Sequence, residues 1–222
     1  MRRFVRFGLL ASAILGFAAV LTAGAAPGPP KLSYRAVAPA VTRGEEPTPP
    51  PAPPPYDGPV ASLYLASAGI SSSAPVEQRG TRFENGREVF ADPSAPGNIA
   101  WYSDSRFGHP GFAGQNSLFA AHINYVNYGN GPFARLTSAE PGSALYVTMD
   151  DGASYAYTVL YVTLVPIEVL TSGGMDAIVF PALDVHTERV TLISCGGDFL
   201  PNPGGGGEYT SRVVLVAERY VP

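Results

Sequence analysis

Val190-Thr191-Leu192-Ile193-Ser194-Cys195-Gly196-Gly197 is the stretch of this sequence that decides the fold. Its first four residues are apolar or β-branched, which predicts a buried strand. The single cysteine of the chain lies at the downstream end of that strand. The two glycines that follow are expected to stop the strand and to clear space around the sulfur. The stretch therefore predicts a thiol presented at a strand end.

Two further predicted strands each carry a polar group at one end. Arg212-Val213-Val214-Leu215-Val216-Ala217 follows a glycine-rich loop and begins on an arginine. Ser117-Leu118-Phe119-Ala120-Ala121-His122 ends on a histidine. If the three strands share a sheet, a thiol, an imidazole and a guanidinium can meet at one edge of it.

These segments carry a family resemblance. Thr191-Leu192-Ile193-Ser194-Cys195 resembles the TLxTC motif of sortases, the cell-wall transpeptidases of mainly Gram-positive bacteria. The Arg212 strand resembles their final strand, whose arginine completes the active site. Ala121-His122, before Asn124, resembles the segment of their catalytic histidine. The resemblance runs from about Ser62 to Tyr220 and keeps the order His, Cys, Arg.

The resemblance implies an all-β fold, namely a closed eight-stranded sortase-type β-barrel with short helices. It also implies cleavage of an LPxTG-like sorting signal between Thr and Gly, with transfer of the acyl group to an amine of a cell-wall precursor or a pilin. Ser194 stands where the usual motif has Thr, and Ala121 where many members have Gly. Gly196-Gly197 and the short N-terminal part of the domain are most similar to class F or E sortases of actinobacteria and Chloroflexi.

The chemistry of the three side chains fits acyl transfer. A thiolate attacks carbonyls, and a nearby imidazole and guanidinium both favour it over the thiol. Arg212 can stabilise an oxyanion because it stays cationic and offers several donors. His122 can protonate a leaving amine and then accept a proton from the incoming nucleophile. We therefore predict Cys195, His122 and Arg212 as catalytic residues. The sequence leaves open whether the Cys/His pair rests ionised or neutral.

Composition excludes several other classes of protein. Gly (25 residues) and Pro (23) are abundant and charged residues make up 14%, which is typical of an all-β domain with many turns. The formal charge of −4 offers no basic face for nucleic acid. One cysteine and three scattered histidines lack the ligand spacing of a zinc site. We expect no metal and no cofactor.

The N-terminal part of the chain predicts export. A basic start is followed by an apolar run, so residues 1–26 are expected to be a membrane anchor or a cleaved signal peptide. Residues 27–59 are Pro-rich and predict a disordered linker. Residues 60–222 are expected to form the catalytic domain outside the cell membrane. Its expected partners are sorting-signal peptides of secreted proteins and an amine acceptor on a cell-wall precursor.

Patterning predicts the remaining elements of the domain. A turn at Asp150-Asp151-Gly152 should join two strands as a hairpin. Thr81–Gly97 is expected to be a loop, Pro132–Leu136 a helical turn, and Pro166–His186 a long connection. The predicted strands are Ala61–Ala66, Ala74–Gln78, Asn98–Tyr102, Ala144–Met149 and Ser154–Val165.

A peptide groove is expected between the Thr163–His186 and Gly196–Ser211 connections. Its candidate wall residues are Leu192, Ile193, Val169, Leu170 and Ile178. Two other functions fit the same residues. A cysteine peptidase would hydrolyse the same signal with water as acceptor, and a non-catalytic wall-binding module would use the barrel only as a frame.

Overall fold

A computed structural model of the chain describes residues 54–84, 86–203 and 206–222. The predicted anchor or signal peptide, and residues 27–53 of the predicted linker, lie outside the described residues. Within the described ranges, no helix has both the length and the apolar character needed to cross a membrane.

The fold is almost entirely β-structure. Its short helical pieces are two 3-10 turns, Ala66–Ala68 and Leu136–Ser138, and the helices α1 (Ile167–Val169) and α2 (Met175–Val179). The strands are β1 (Val60–Tyr64), β2 (Val76–Arg79), β3 (Thr81–Glu84), β4 (Arg87–Phe90), β5 (Ile99–Tyr102), β6 (Asn116–Ala121), β7 (Asn124–Tyr125), β8 (Gly129–Asn130), β9 (Ala144–Met149), β10 (Ser154–Pro166), β11 (Thr187–Pro201) and β12 (Gly207–Tyr220).

Eight of these strands form one sheet in the order β1-β9-β10-β12-β11-β6-β5-β2. The two edge strands, β1 and β2, contact each other, so the sheet curls into a nearly closed barrel. Neighbouring strands are antiparallel except for β11 with β6 and β2 with β5, which are parallel. The predicted all-β barrel of eight strands with short helices is confirmed.

The core fills the barrel with the side chains that the patterning assigned to it. Trp101, Phe133 and Leu136 are all buried in it. On β10, Tyr155, Tyr157 and Val159 point inward in alternation. The alternation ends at a register shift before Tyr161, which is therefore exposed rather than buried.

Two expectations for the connections were wrong or incomplete. The segment Thr81–Gly97 is not only a loop, because it contains the β3–β4 hairpin. Its strands alternate charged residues that stay exposed, so they lack the apolar period that marks a strand in sequence. The long connection after β10 carries α1 and α2, separated by an irregular turn at Leu170–Gly174.

Candidate active site

The strand register brings the three predicted residues to one end of the sheet. Cys195 on β11 is the register partner of Arg212 on the antiparallel β12. On the other side of β11, Ile193 pairs with Ala120 of the parallel β6. Continuing this register by two residues brings Cys195 level with His122, the first residue after β6, and both residues line one pocket. A parallel neighbour on one side and an antiparallel neighbour on the other thus flank the thiol with an imidazole and a guanidinium.

A pocket of about 160 Å³ contains all three side chains. Its other lining residues come from β4 and the segment after it, from β5 and β6, from α2 and from β11: Phe90, Asp92, Pro93, Tyr102, Ala120, Ala121, Met175, Ile193 and Ser194. We call it the three-residue pocket. Cys195 also lines a second, larger pocket of about 690 Å³, which neither His122 nor Arg212 lines.

His122 is held by the loop that follows it. Its carbonyl oxygen accepts a hydrogen bond of 3.1 Å from the backbone of Phe133, a fully buried residue. Gly131 passes so close that a Cβ there would overlap this carbonyl oxygen. The imidazole meets the ring of Tyr125 edge-on, with 5.1 Å between the ring centres. The half-buried imidazole is therefore anchored through its backbone while its ring faces the pocket.

Arg212 is fixed without a carboxylate partner. Its Nη1 donates to the carbonyl oxygens of Ser211 (3.0 Å) and Tyr209 (3.4 Å). In the described part of the chain, none of the ion pairs includes Arg212. The guanidinium keeps its full charge and further N–H donors for a ligand in the pocket.

Residues 69–220 match the Sortase domain family. The chain belongs to the sortase family. Similar solved structures include a sortase from Actinomyces oris, at 19% identity over 76% of this chain and 87% of that one, with a TM-score of 0.49. Another is the lid mutant of sortase A from Corynebacterium diphtheriae, at 16% identity over 73% and 70%, with a TM-score of 0.46. No curated protein matches the chain.

The pKa of Cys195 in this sortase is raised by two effects and lowered by one. Partial burial raises the pKa of Cys195 above its ordinary value, because it disfavours the charged thiolate. The positive charge of Arg212 acts against this rise, as expected from the sequence, and the negative charge of Asp92 adds to it. The net effect of burial, Arg212 and Asp92 is a pKa for Cys195 above its ordinary value.

The two glycines after Cys195 do not stop the strand. β11 continues to Pro201, and pairing with β12 resumes at Phe199 after a register shift. A Cβ on Gly196 would lie 2.6 Å from Val213 and 2.8 Å from Leu164. Gly197 has a φ of 78°, in the left-handed region. The glycines therefore allow close packing and a β-bulge just beyond the sulfur, which replaces the predicted strand end.

Of the five candidate wall residues, Ile193 lines the three-residue pocket, whereas Leu192, Val169, Leu170 and Ile178 do not. Leu192 lies fully buried in the barrel core, because the alternation of β11 turns it away from Ile193, which does line the pocket. Asp92 and Met175 were missed, since one lies in a segment assigned as loop and the other in the long connection. The patterning carried no signal for either of them.

The other two histidines, His109 and His186, have structural partners. One ring nitrogen of His109 lies 3.0 Å from the carbonyl oxygen of Gly58, and the ring packs edge-on against Trp101. His186 contacts the carbonyl oxygen of Val221 at 3.0 Å. Within residues 54–84, 86–203 and 206–222, no three His, Cys, Asp or Glu side chains cluster in a way that could hold a metal ion.

Proposed function

We propose that this sortase is an exported cysteine transpeptidase. It cleaves an LPxTG-like sorting signal between Thr and Gly and transfers the acyl group to an amine of a cell-wall precursor. The observation that carries this proposal is the three-residue pocket, in which Cys195, His122 and Arg212 line one small cavity. A nucleophile, a proton carrier and a fixed cation around one cavity are the parts that acyl transfer needs.

In the first half-reaction the Sγ of Cys195, with its proton held by His122, attacks the carbonyl carbon of the Thr–Gly bond. The oxygen becomes an oxyanion, which the guanidinium of Arg212 stabilises. His122 then donates a proton to the nitrogen of Gly as the C–N bond breaks. The products are a thioester on Cys195 and a free peptide amine.

In the second half-reaction an acceptor amine attacks the thioester carbonyl. His122 accepts the proton that this amine loses, and Arg212 again faces the oxyanion. The C–S bond breaks with its electron pair on Sγ, an amide forms, and the proton now held by His122 restores the Cys195/His122 pair to its resting state. Atoms and charges balance over the cycle without a metal or cofactor. The same three residues would catalyse hydrolysis if water replaced the amine.

The N-terminal segments give the domain its place in the cell. We infer that residues 1–26 anchor the chain in the cell membrane or direct its export and that the Pro-rich residues 27–59 link them to the barrel. The end of this linker contacts the barrel, because the backbone of Asp150 donates to the carbonyl oxygen of Pro59 at 3.0 Å. The catalytic domain then works outside the membrane of a Gram-positive-type bacterium, where secreted sorting signals and wall precursors meet. The glycine pair after Cys195 supports assignment to class F or E.

The test uses the full-length chain with a set of LPxTG-like peptides and triglycine as the amine. Mass spectrometry identifies the products, and Cys195→Ala is the control. We expect an amine-ligated peptide that is absent with the variant. Hydrolysed peptide alone, with a range of amines offered, would favour the peptidase. No Cys195-dependent product from a folded protein would favour the non-catalytic module.

A further inference from the structure

The three-residue pocket contains one carboxylate that the reaction described above does not use. Asp92 lines it together with Cys195 and Arg212, and it is the one acidic side chain among the residues described there. The backbone around it is tied to the barrel. Arg79 donates to the carbonyl oxygen of Asp92 at 3.0 Å, and Tyr102 donates to that of Ala91 at 3.0 Å. The backbone of Asp92 is therefore fixed at the pocket.

The charge of Asp92 is only partly compensated. One carboxylate oxygen lies 3.2 Å from a guanidinium nitrogen of Arg82, and the side chain is 66% exposed. Arg82 is shared, because Glu84 lies 3.5 Å from the same nitrogen. Exposed ion pairs of this kind are weak and leave the carboxylate able to bind another cation.

The field of Asp92 reaches the reacting groups. Burial is the main cause that raises the pKa of Cys195, Arg212 opposes it, and Asp92 adds to the rise. Burial and then Asp92 likewise raise the pKa of Tyr102, on another wall of the pocket. A negative charge at this position also disfavours an oxyanion near Arg212. The charge of Asp92 therefore opposes both formation of the thiolate and stabilisation of the oxyanion, unless the substrate neutralises it.

The scissile carbonyl has to lie in this pocket. Arg212 can stabilise the oxyanion only where it faces the sulfur, and both line the three-residue pocket. The larger pocket contains Cys195 without Arg212 or His122. Residues of the donor peptide that flank the scissile bond therefore pass close to Asp92.

We propose that Asp92 selects donor peptides with a lysine or arginine side chain next to the scissile residue, and that this bound cation offsets the charge of Asp92 during attack. The inference rests on the proposed function, because it assumes that the peptide is acylated onto Cys195. The cation of the donor peptide then has two effects. It adds binding energy, and it also removes a charge that opposes formation of the thiolate.

The experiment compares three peptides, LPKTG, LPQTG and LPETG, each presented to the full-length chain. The initial rate of acylation of Cys195 is measured by quenched-flow mass spectrometry. The native chain should acylate with the Lys peptide about two- to five-fold faster than with the Glu peptide, the range expected for an exposed charge pair. Because Arg212 alone would favour the Glu peptide, a Lys preference reports on Asp92.

Variants then identify the carboxylate responsible. Asp92→Asn should remove the Lys preference and Asp92→Lys should reverse it. Glu84→Gln is the matched control, because it removes the other carboxylate on Arg82 but lies outside the pocket. It should leave the preference intact. Arg82→Gln should enlarge the preference, since it frees the oxygen that Arg82 occupies.

The outcomes separate this inference from the proposed function. Equal acylation of the three peptides by the native chain would overturn the role of Asp92 while leaving the transpeptidase standing, and needs no variant to fold. A Lys preference that survives Asp92→Asn, or disappears equally in Glu84→Gln, would also overturn it. No acylation of Cys195 by any peptide would overturn both.

Discussion

The uninterrupted register of β11 with β12 runs from Thr187 to Gly196. An arginine of β12 lies near each end of this register, and the two arginines differ in what they contact. At one end Arg219 is the register partner of Glu188, and its Nε lies 2.5 Å from that carboxylate. At the other end Arg212 is the register partner of Cys195, and its hydrogen bonds within residues 54–84, 86–203 and 206–222 go to backbone carbonyls. One strand pair thus holds a compensated cation at one end and an uncompensated cation at the other.

At the compensated end, an ion pair and hydrogen bonds around Glu188 stabilise the fold. Glu188 is fully buried, and it accepts hydrogen bonds from Tyr157 and from the backbone of Gly111 at 2.5 Å as well as from Arg219. The guanidinium of Arg219 lies over the ring of Tyr155, 4.6 Å from its centre. Burial beside this carboxylate raises the pKa of Tyr157. Glu188, Arg219 and Tyr157 therefore all have partners within the described residues.

The uncompensated end, which contains Arg212, faces a cavity. Its guanidinium, thiol and imidazole have few partners among the described side chains and face a cavity. At both ends an arginine of β12 is the register partner of a β11 residue, but among the described residues Arg219 pairs with a carboxylate and Arg212 does not.

The largest effect on the comparison is expected from Arg219→Gln. This change leaves the fully buried Glu188 without its counter-ion, which should lower the free energy of unfolding by about 3–5 kcal/mol. Chemical denaturation measures the loss. The rate constant kcat of the fraction that stays folded should not change, because Arg219 does not line the three-residue pocket.

The same substitution at the other end, Arg212→Gln, should have the opposite profile. Loss of the oxyanion donor should lower kcat by about 10²–10³-fold. Stability should change by only about 0.5 kcal/mol, since the side chain is half-buried and makes no ion pair within the described residues. A large loss of stability with unchanged kcat would mean that the two ends do not differ as described.

The bulge beyond Cys195 gives an intermediate effect. Gly196→Ala should destabilise the fold by about 1–3 kcal/mol, because the added methyl meets Val213 and Leu164. Thermal unfolding measures the loss. Gly152→Ala, in the β9–β10 turn, is a control with open space around it, so only the strain of its φ of 90° remains. A smaller loss at Gly196 than at Gly152 would contradict the packing role.

The smallest effects concern the pH dependence of the thiol. Alkylation of Cys195 by iodoacetamide should rise with pH and have its midpoint above the ordinary value for cysteine, because burial raises the pKa. Asp92→Asn removes a charge that raises this pKa, so the midpoint should move down. Arg212→Gln removes one that lowers it, so the midpoint should move up. Shifts in the same direction would refute this electrostatic description.

Much of the reactive end could be predicted from sequence, because its residues sit in local patterns. Cys195 stands at the end of one apolar run, Arg212 at the start of a second and His122 at the end of a third. The motif resemblance connected the three residues, because sortases carry them in the same order. The eight-stranded barrel followed from the same resemblance, and strand alternation on β10 was predictable as far as Val159.

The compensated end gave no such signal. A Glu within a strand resembles a solvent-facing residue, and only the register of β11 against β12 pairs Glu188 with Arg219. The β3–β4 hairpin was missed because its charged strands have no apolar face. Asp92 owes its position to that hairpin and to long-range contacts, which no local pattern reports. The bulge at Gly196-Gly197 depends on contacts with Val213 and Leu164 from other strands.

The most direct test of the account is intact-protein mass spectrometry of the full-length chain, mixed with a sorting peptide and quenched in acid. The account predicts a mass increase equal to the acyl fragment up to Thr, mapped to Cys195. The adduct should form slowly in Arg212→Gln and at the native rate per folded molecule in Arg219→Gln. An adduct on another residue, or peptide cleavage that persists in Cys195→Ala, would contradict it.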